Sequence, residues 1–182
     1  MRHVEADEDL IMIVISDLWL DQPRVLEKFQ RLLEGYTESE WIPMAFILMG
    51  DFISEPFAYN GNMSEKYASA FNAFTEILLR FPKILRLSQF ILVAGPNDPW
   101  GGNVHPKLPL PRSILDRFVQ KIPHVTLASN PCRIRFCSQE IVVFREDLLG
   151  KMQRNVLLKP NMNSETAMHR HVSFCFNESV VC

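Results

Sequence analysis

The chain has 182 residues, of which 47% are hydrophobic and 22% are charged, and its formal net charge is −2. This length suffices for one domain with a buried core, and the composition is typical of a soluble globular protein. No apolar run is long enough to span a bilayer, and no signal-peptide hydrophobic region opens the chain. We therefore expect an intracellular protein with no membrane partner.

The charges are distributed unevenly along the chain. Residues 1–106 carry a formal charge of −7, from 8 basic and 15 acidic residues, and residues 107–182 carry +5, from 11 basic and 6 acidic residues. This excess of positive charge is smaller than that of an autonomous DNA-binding domain. We therefore expect any contact with DNA to be made through a complex.

Three short, continuously apolar runs divide the first half of the chain. They lie at residues 11–15, 45–49 and 90–93, and each is typical of a strand buried on both faces. Between them apolar residues recur at helical spacing, and Gly35 and Pro82 predict where the two helices end. The first half is therefore predicted to form a parallel βαβαβ unit.

The pattern changes in the second half. Residues 95–111 form a segment rich in Pro and Gly, and loops of that length are often functional. A short strand is predicted at 125–128, and the alternating segments 132–137 and 140–144 predict a hairpin with a Ser-Gln turn. A last helix is predicted over 146–155. The expected fold class is α/β, with a mixed sheet flanked by helices.

An acidic turn follows each of the three apolar strands. Asp17 follows the first strand, Asp51 the second and Asp98 the third. In an open α/β sheet the strand carboxyl ends form the functional edge, so these carboxylates are expected to lie together. Two-metal hydrolysis uses such carboxylates with histidine ligands, but none of the five histidines lies in these turns. For Asp17 and Asp51 two alternatives stay open: they are residual metal ligands, or they are carboxylates that cap turns and helices through backbone N–H groups.

The three turns resemble the motifs D-x-H, G-D-x-x-D and G-N-H-D/E of the calcineurin-like metallophosphoesterases. Here Trp19 stands in place of the histidine of the first motif, and Ser54 in place of the second acid of the second motif. In the third motif, Pro96 and Asn97 replace the metal-binding Asn and the catalytic His. Because Trp and Pro offer no side-chain ligand, the resemblance implies an inactivated site with no metal and no catalytic residue. We expect the Trp19 ring to fill the space of the missing ligands.

The alternative function is enzymatic. It is a metal-dependent phosphoesterase with an atypical site formed by Asp17, Asp51 and Asp98. No C-x2-C pair occurs among the four cysteines, so we expect reduced thiols without structural zinc, and no cofactor of any kind.

Three segments also resemble the B subunits of eukaryotic replicative DNA polymerases, which contain degenerate phosphoesterase domains. The match narrows to the B subunits of DNA polymerase epsilon over residues 13–22, 93–99 and, as the longest and most specific segment, 129–148. The resemblance covers roughly residues 10–157. It implies a metallophosphoesterase-like fold with an incomplete sandwich, and members of the family continue well beyond Asn155, so we expect a truncated form.

This resemblance predicts three parts of the chain. They are an acidic N-terminal segment at 1–9, a partial, degenerate calcineurin-like phosphoesterase domain at 10–157, and a divergent tail at 158–182. It implies a non-catalytic accessory subunit in the nucleus, which works in DNA replication. The implied partners are the C-terminal zinc-binding region of the catalytic subunit of DNA polymerase epsilon, the other subunits and, through the complex, DNA.

Basic residues in the hairpin allow two interpretations. Arg133 and Arg135 alternate with apolar residues, which is typical of the solvated face of a half-buried hairpin. Alternatively this face, together with Arg145 and Lys151, contacts an acidic partner surface or the phosphates of a nucleic acid.

Overall fold

The computed structural model describes residues 10–39, 41–58, 61–99 and 104–148. By its internal contacts the chain divides into two units, residues 1–145 and 146–182. All the helices and strands with described bounds belong to the first unit. The predicted N-terminal segment and tail lie outside the described residues, as does most of the predicted helix at 146–155.

Six strands and four helices occur in the described residues. In chain order they are β1 (Met12–Ser16), α1 (Pro23–Glu38), β2 (Ala45–Met49), α2 (Met63–Leu78), α3 (Pro82–Leu87), β3 (Gln89–Val93), α4 (Asp116–Lys121), β4 (Val125–Ala128), β5 (Cys132–Phe136) and β6 (Gln139–Val143). None of the helices within these ranges is long and apolar enough to cross a membrane.

The first four strands form one parallel sheet in the order β1-β2-β3-β4. The register aligns Ser16 with Met49 across the first pair, and Met49 with Val93 across the second. The carboxyl ends of these strands therefore lie side by side, as the sequence predicted. The expected α/β class is confirmed.

One face of the sheet packs against the helices. Phe46 and Phe90, from the two central strands, are fully buried there and stack with ring centroids 5.2 Å apart. Phe74 of α2 stacks on Phe118 of α4 at 5.8 Å within the same core. Complete burial of such a side chain stabilises the fold by about 2 kcal/mol, so this aromatic layer anchors the sheet.

The opposite face packs against the hairpin. Strands β5 and β6 pair antiparallel as a separate two-stranded sheet, so the strands form two sheets instead of one mixed sheet. Ile47, Ile91 and Val93 pack against Cys132 and Val143. Because the central strands are apolar on both faces, the second face also needs a cover, and the hairpin provides it.

Three local predictions need correction. Gly35 does not end α1, which runs on to Glu38, because Gly35 does not adopt the left-handed φ with which glycine ends a helix. Pro82 begins α3 rather than ending α2, since proline at a first helical position has no N–H to lose. The hairpin turn is Cys137-Ser138 rather than Ser-Gln, and Cys137 has a φ of 53°.

Candidate functional site at the acidic strand ends

The backbone brings the three acidic turns together. The N–H of Asp17 donates to the carbonyl of Met49 at 3.1 Å, and the N–H of Gly50 donates to the carbonyl of Val93 at 2.8 Å. These bonds continue the ladder of the parallel sheet into the turns. The predicted meeting of Asp17, Asp51 and Asp98 at one edge follows from this register.

Asp51 is held by a single neighbour through both of its oxygens. The backbone N–H of Asn97 donates to Oδ1 at 2.8 Å, and the Asn97 side-chain amide donates to Oδ2 at 2.6 Å. Asp51 is buried. Asn97 thus pairs with the acid of the neighbouring strand end and links the β2 and β3 turns.

Asp98 is the most deeply buried of the three acids, with 2% of its surface exposed. Its Oδ1 accepts hydrogen bonds from the N–H of Phe52 at 2.9 Å and from the hydroxyl of Tyr67 at 3.1 Å. Its Oδ2 accepts from the N–H of Gly95 at 2.8 Å. The carboxylate therefore joins the β2 turn, the β3 turn and α2.

Two glycines permit this close packing. A Cβ atom on Gly50 would collide with the Asp98 carboxylate and the Gly95 nitrogen, and a Cβ atom on Gly95 would collide with the Asp51 carboxylate and the Gly50 carbonyl carbon. Neither glycine has a positive φ. Glycine is needed at both positions for close approach of the two backbones, not for an unusual conformation.

Asp17 lies nearer to solvent and pairs with a cation. The Nη2 atom of Arg145 lies 2.6 Å from Asp17 Oδ1, and the Ser16 hydroxyl donates to Oδ2 at 2.7 Å. The Nε of Arg145 also donates to the carbonyl of Gly50 at 2.9 Å. Asp17 adopts a left-handed φ of 55°, which non-glycine residues rarely occupy.

Asn130 is a site residue that the sequence interpretation missed. It is fully buried, and its Nδ2 donates to the carbonyls of Ala94 at 2.8 Å and Arg145 at 2.5 Å. Its Oδ1 accepts from the N–H of Arg145 at 3.0 Å, while its backbone pairs with Lys107. The signal in the sequence was its position, because Asn130 follows the fourth parallel strand as the acids follow the other three.

Burial and neighbouring charges shift the pKa values of these acids in opposite directions. Burial raises the pKa of Asp98 to about 6, the Asp51 charge adds to this, and the bonds from Phe52, Gly95 and Tyr67 oppose it. Burial and the same Asp98 carboxylate raise the pKa of Tyr67. Partial burial also acts to raise the pKa of Asp17, but the bonds from Ser16 and Arg145 and the Arg145 charge outweigh it and lower that pKa.

In the hydrogen bonds of the described residues, no other side chain from the degenerate motifs reaches the three acids. Trp19 is 42% exposed, so the expectation that its ring fills the site is wrong. Ser54 donates to Asp21, with its N–H at 3.0 Å and its hydroxyl at 2.5 Å from the two carboxylate oxygens. Pro96 brings no side-chain donor to the turn.

Of the four basic residues suggested as a contact face, the structure separates Arg145 from Arg133 and Arg135. Arg133 and Arg135 are exposed on the hairpin, and Arg133 forms an ion pair with Glu140 at 2.8 Å. Arg145 is not part of that face, because its guanidinium is directed to Asp17 and Gly50. Lys151 lies outside the described residues.

The donor set does not fit a two-metal centre. Both oxygens of Asp51 accept from Asn97, and the oxygens of Asp98 accept three hydrogen bonds. Throughout the described ranges, no group of three or more His, Cys, Asp or Glu residues is arranged to hold a metal ion. The arrangement can fasten strand ends together, but it does not support the alternative of a phosphoesterase at Asp17, Asp51 and Asp98.

The parallel sheet, the flanking helices and the acidic strand ends define an α/β protein, which is consistent with a phosphoesterase-like fold. A sequence profile of the family of DNA polymerase alpha/epsilon B subunits matches residues 12–176, and the chain belongs to that family. The match reaches into the segment 158–182, for which no resemblance was expected.

Relatives at 38–39% identity carry a more specific name. The chain is 38% identical over 170 residues to DNA polymerase epsilon subunit 2 of Mus musculus, covering 93% of this chain and 32% of the relative. It is 39% identical over 165 residues to the Homo sapiens protein of that name, covering 91% and 31%. It is 38% identical over 161 residues to the DNA polymerase epsilon B subunit of Schizosaccharomyces pombe, covering 86% and 27%. The chain thus spans about a third of the length of these relatives.

Proposed function

We propose that this chain acts as a non-catalytic accessory subunit of the DNA polymerase epsilon complex, in DNA replication in the nucleus. The observation that carries the proposal is the similarity to proteins named as epsilon subunits over about nine tenths of the chain. Any polymerase activity would then belong to the complex and not to this chain.

The hydrogen bonding of the strand ends supports a non-catalytic role. A hydrolytic site needs carboxylates that are free to bind an ion or to accept a proton from water. Here Asp51 and Asp98 accept bonds from the protein through both of their oxygens, and Asp17 is paired with Arg145. These contacts favour a domain whose acids serve to hold its turns in place, which suits a scaffold.

The partner we propose is the catalytic subunit of DNA polymerase epsilon, through its C-terminal zinc-binding region, with the other subunits held in the same complex. DNA would be contacted through that complex, because the net charge of −2 gives little attraction for phosphate by itself. The exposed Arg133 and Arg135 are the residues we propose for contact with an acidic partner surface or DNA phosphate.

We also propose the domain boundaries predicted from the sequence. Residues 10–157 would form a partial, inactivated phosphoesterase domain, preceded by the acidic segment 1–9 and followed by the tail 158–182. The hairpin on the second face of the sheet supports this assignment, since a phosphoesterase-like sandwich requires that face to be covered.

Co-expression with the C-terminal region of the catalytic subunit tests the proposal. We expect a soluble one-to-one complex in size-exclusion chromatography, and a weaker complex for the variant Arg133→Glu/Arg135→Glu. Arg117→Glu is the matched control, because it reverses an exposed charge on α4, away from the hairpin. The proposal would be wrong if soluble, folded chain eluted separately from the catalytic region.

A further inference from the structure

The charge of the acidic strand ends requires compensation. Asp17, Asp51 and Asp98 lie at one edge, where burial raises the pKa of Asp98 and the neighbouring Asp51 charge adds to that rise. Asn97 and the backbone N–H groups of the turns are neutral, so they orient the carboxylates without removing their charge. Proteins that hold such clusters together ordinarily bind a metal ion or a basic side chain there.

Arg145 reaches this edge from a distant part of the chain. It follows β6 and lies 128 residues from Asp17 in sequence. Its backbone is fixed on both sides by the buried Asn130, which accepts from its N–H and donates to its carbonyl. The Arg145 side chain is only 17% exposed, unlike that of an ordinary surface arginine. The fold therefore fixes the position of the Arg145 backbone, so the contact with Asp17 is not the chance pairing of a flexible surface side chain.

The atoms that Arg145 contacts are those that a hard cation would take. The carboxylate of Asp17 and the carbonyl of Gly50 are oxygen ligands from two adjacent strand ends, and Mn²⁺, Mg²⁺ and Ca²⁺ prefer such ligands. The guanidinium satisfies both oxygens through two of its nitrogens, Nη2 and Nε, and it stays charged at every relevant pH. We propose that Arg145 is a built-in cation, which binds these two oxygens in place of a divalent metal ion.

Replacement of Arg145 by methionine tests this proposal, because methionine keeps much of the apolar stem of the side chain and removes its charge. We expect thermal unfolding of the whole chain to show a Tm lower by about 5 °C. Millimolar MnCl2 should then raise the Tm of Arg145→Met by about 3 °C, the shift for a ligand about tenfold above its Kd. The unchanged chain should show no shift with MnCl2.

Two further variants separate a cation position from an ordinary ion pair. Arg117→Met removes an exposed pair with Glu76 and should respond to MnCl2 no more than the unchanged chain. Asp17→Asn/Arg145→Met removes both charges, so it should be more stable than Arg145→Met and should lose the response to MnCl2. The order of stability of these variants tests whether Arg145 compensates the charge of Asp17. The response to MnCl2 tests whether a cation binds at the position of the Arg145 guanidinium.

The proposal is overturned if Arg145→Met folds and does not respond to MnCl2, or if the unchanged chain responds equally. Should Arg145→Met fail to fold, the double variant decides alone. Recovery of a cooperative unfolding transition in Asp17→Asn/Arg145→Met would support charge compensation as the role of Arg145. A double variant that also failed to fold would overturn it.

Discussion

Asp98 and Asp17 follow equivalent strands of the same sheet, yet the protein stabilises them in opposite ways. Asp98 is almost completely buried and accepts hydrogen bonds from two backbone N–H groups and the Tyr67 hydroxyl. Asp17 is 41% exposed at its side chain and is paired with the guanidinium of Arg145. The inner acid relies on shape and neutral donors, whereas the outer acid relies on charge.

This difference decides how each acid should respond to perturbation. Hydrogen bonds from neutral donors to a carboxylate in a buried turn depend on the close fit of the backbone and are little affected by salt. An ion pair near the surface tolerates small movements but weakens as salt screens it. Steric changes should therefore damage the inner acid most, and changes of charge should act mainly on the outer one.

The largest loss of stability is expected for a substitution where the turns after β2 and β3 are in contact. Gly95→Ala places a methyl group against the Asp51 carboxylate and the Gly50 backbone, so the turns must separate and lose hydrogen bonds. We expect the free energy of unfolding in urea to fall by about 4 kcal/mol. Gly35→Ala is the matched control, because that position in α1 is open and alanine should stabilise the helix by about 0.5 kcal/mol. Equal effects at the two glycines would contradict the close approach.

Removal of the Asp98 carboxylate should lower the free energy of unfolding somewhat less than Gly95→Ala does. Asp98→Ala leaves the N–H groups of Phe52 and Gly95 and the Tyr67 hydroxyl without their acceptor in the buried turn. We expect a loss of about 3 kcal/mol in urea unfolding, against about 1 kcal/mol for Tyr67→Phe, which removes one donor of the three. If the two variants were equally stable, Asp98 would not be the centre of this network.

The pH dependence of stability should distinguish the two acids. The raised pKa of Asp98, about 6, means that the folded chain binds its proton more tightly than the unfolded chain does. Stability should therefore rise as the pH falls, by about 1 kcal/mol between pH 7.5 and pH 5, and Asp98→Ala should lack this gain. The pKa of Asp17 is lowered, so its contribution is present above the ordinary aspartate range and is lost below it.

Urea unfolding across this pH range measures the prediction as a difference between the unchanged chain and Asp98→Ala. Taking the difference cancels the titration of other carboxylates that the two proteins share. A constant difference from pH 5 to pH 7.5 would show that Asp98 does not bind its proton more tightly in the folded state.

The smallest effect is expected on the exposed face of the hairpin. Arg133→Ala removes an ion pair with Glu140 in which the arginine side chain is 76% exposed. We expect the free energy of unfolding to change by less than about 0.5 kcal/mol. A larger loss would mean that this face contributes to the fold, and it would remove the basis for using Arg133 variants to test partner contact.

The sequence predicted the parallel sheet and the meeting of the three acids, because both follow from regular local patterns. Continuous apolar runs identify buried strands, and parallel strands place their carboxyl ends at one edge. The hairpin was predictable in the same way, from the alternation around residues 132–144. The packing of this hairpin as a second sheet on the face opposite the helices could not be predicted. Alternation indicates a half-buried strand but does not identify the surface that buries it.

The partners of the acids could not be predicted in this way. Arg145 is 128 residues from Asp17 in sequence, and the two meet only in the folded chain. Arg145 was grouped with the exposed arginines because the sequence gives its charge but not the residues that surround it in the fold. Trp19 was expected to pack inside, although its turn directs much of the ring to solvent. Long-range contacts of single side chains have no periodic signal.

The most direct test of a non-catalytic role is an assay of phosphodiester hydrolysis. Purified chain would be incubated with bis-p-nitrophenyl phosphate and Mn²⁺, beside Asp17→Asn and Asp51→Asn. We predict that none of the three proteins releases product faster than buffer with Mn²⁺, because the carboxylates are already bonded within the protein. Hydrolysis above the buffer rate that requires Mn²⁺ and is lost in both variants would contradict this account.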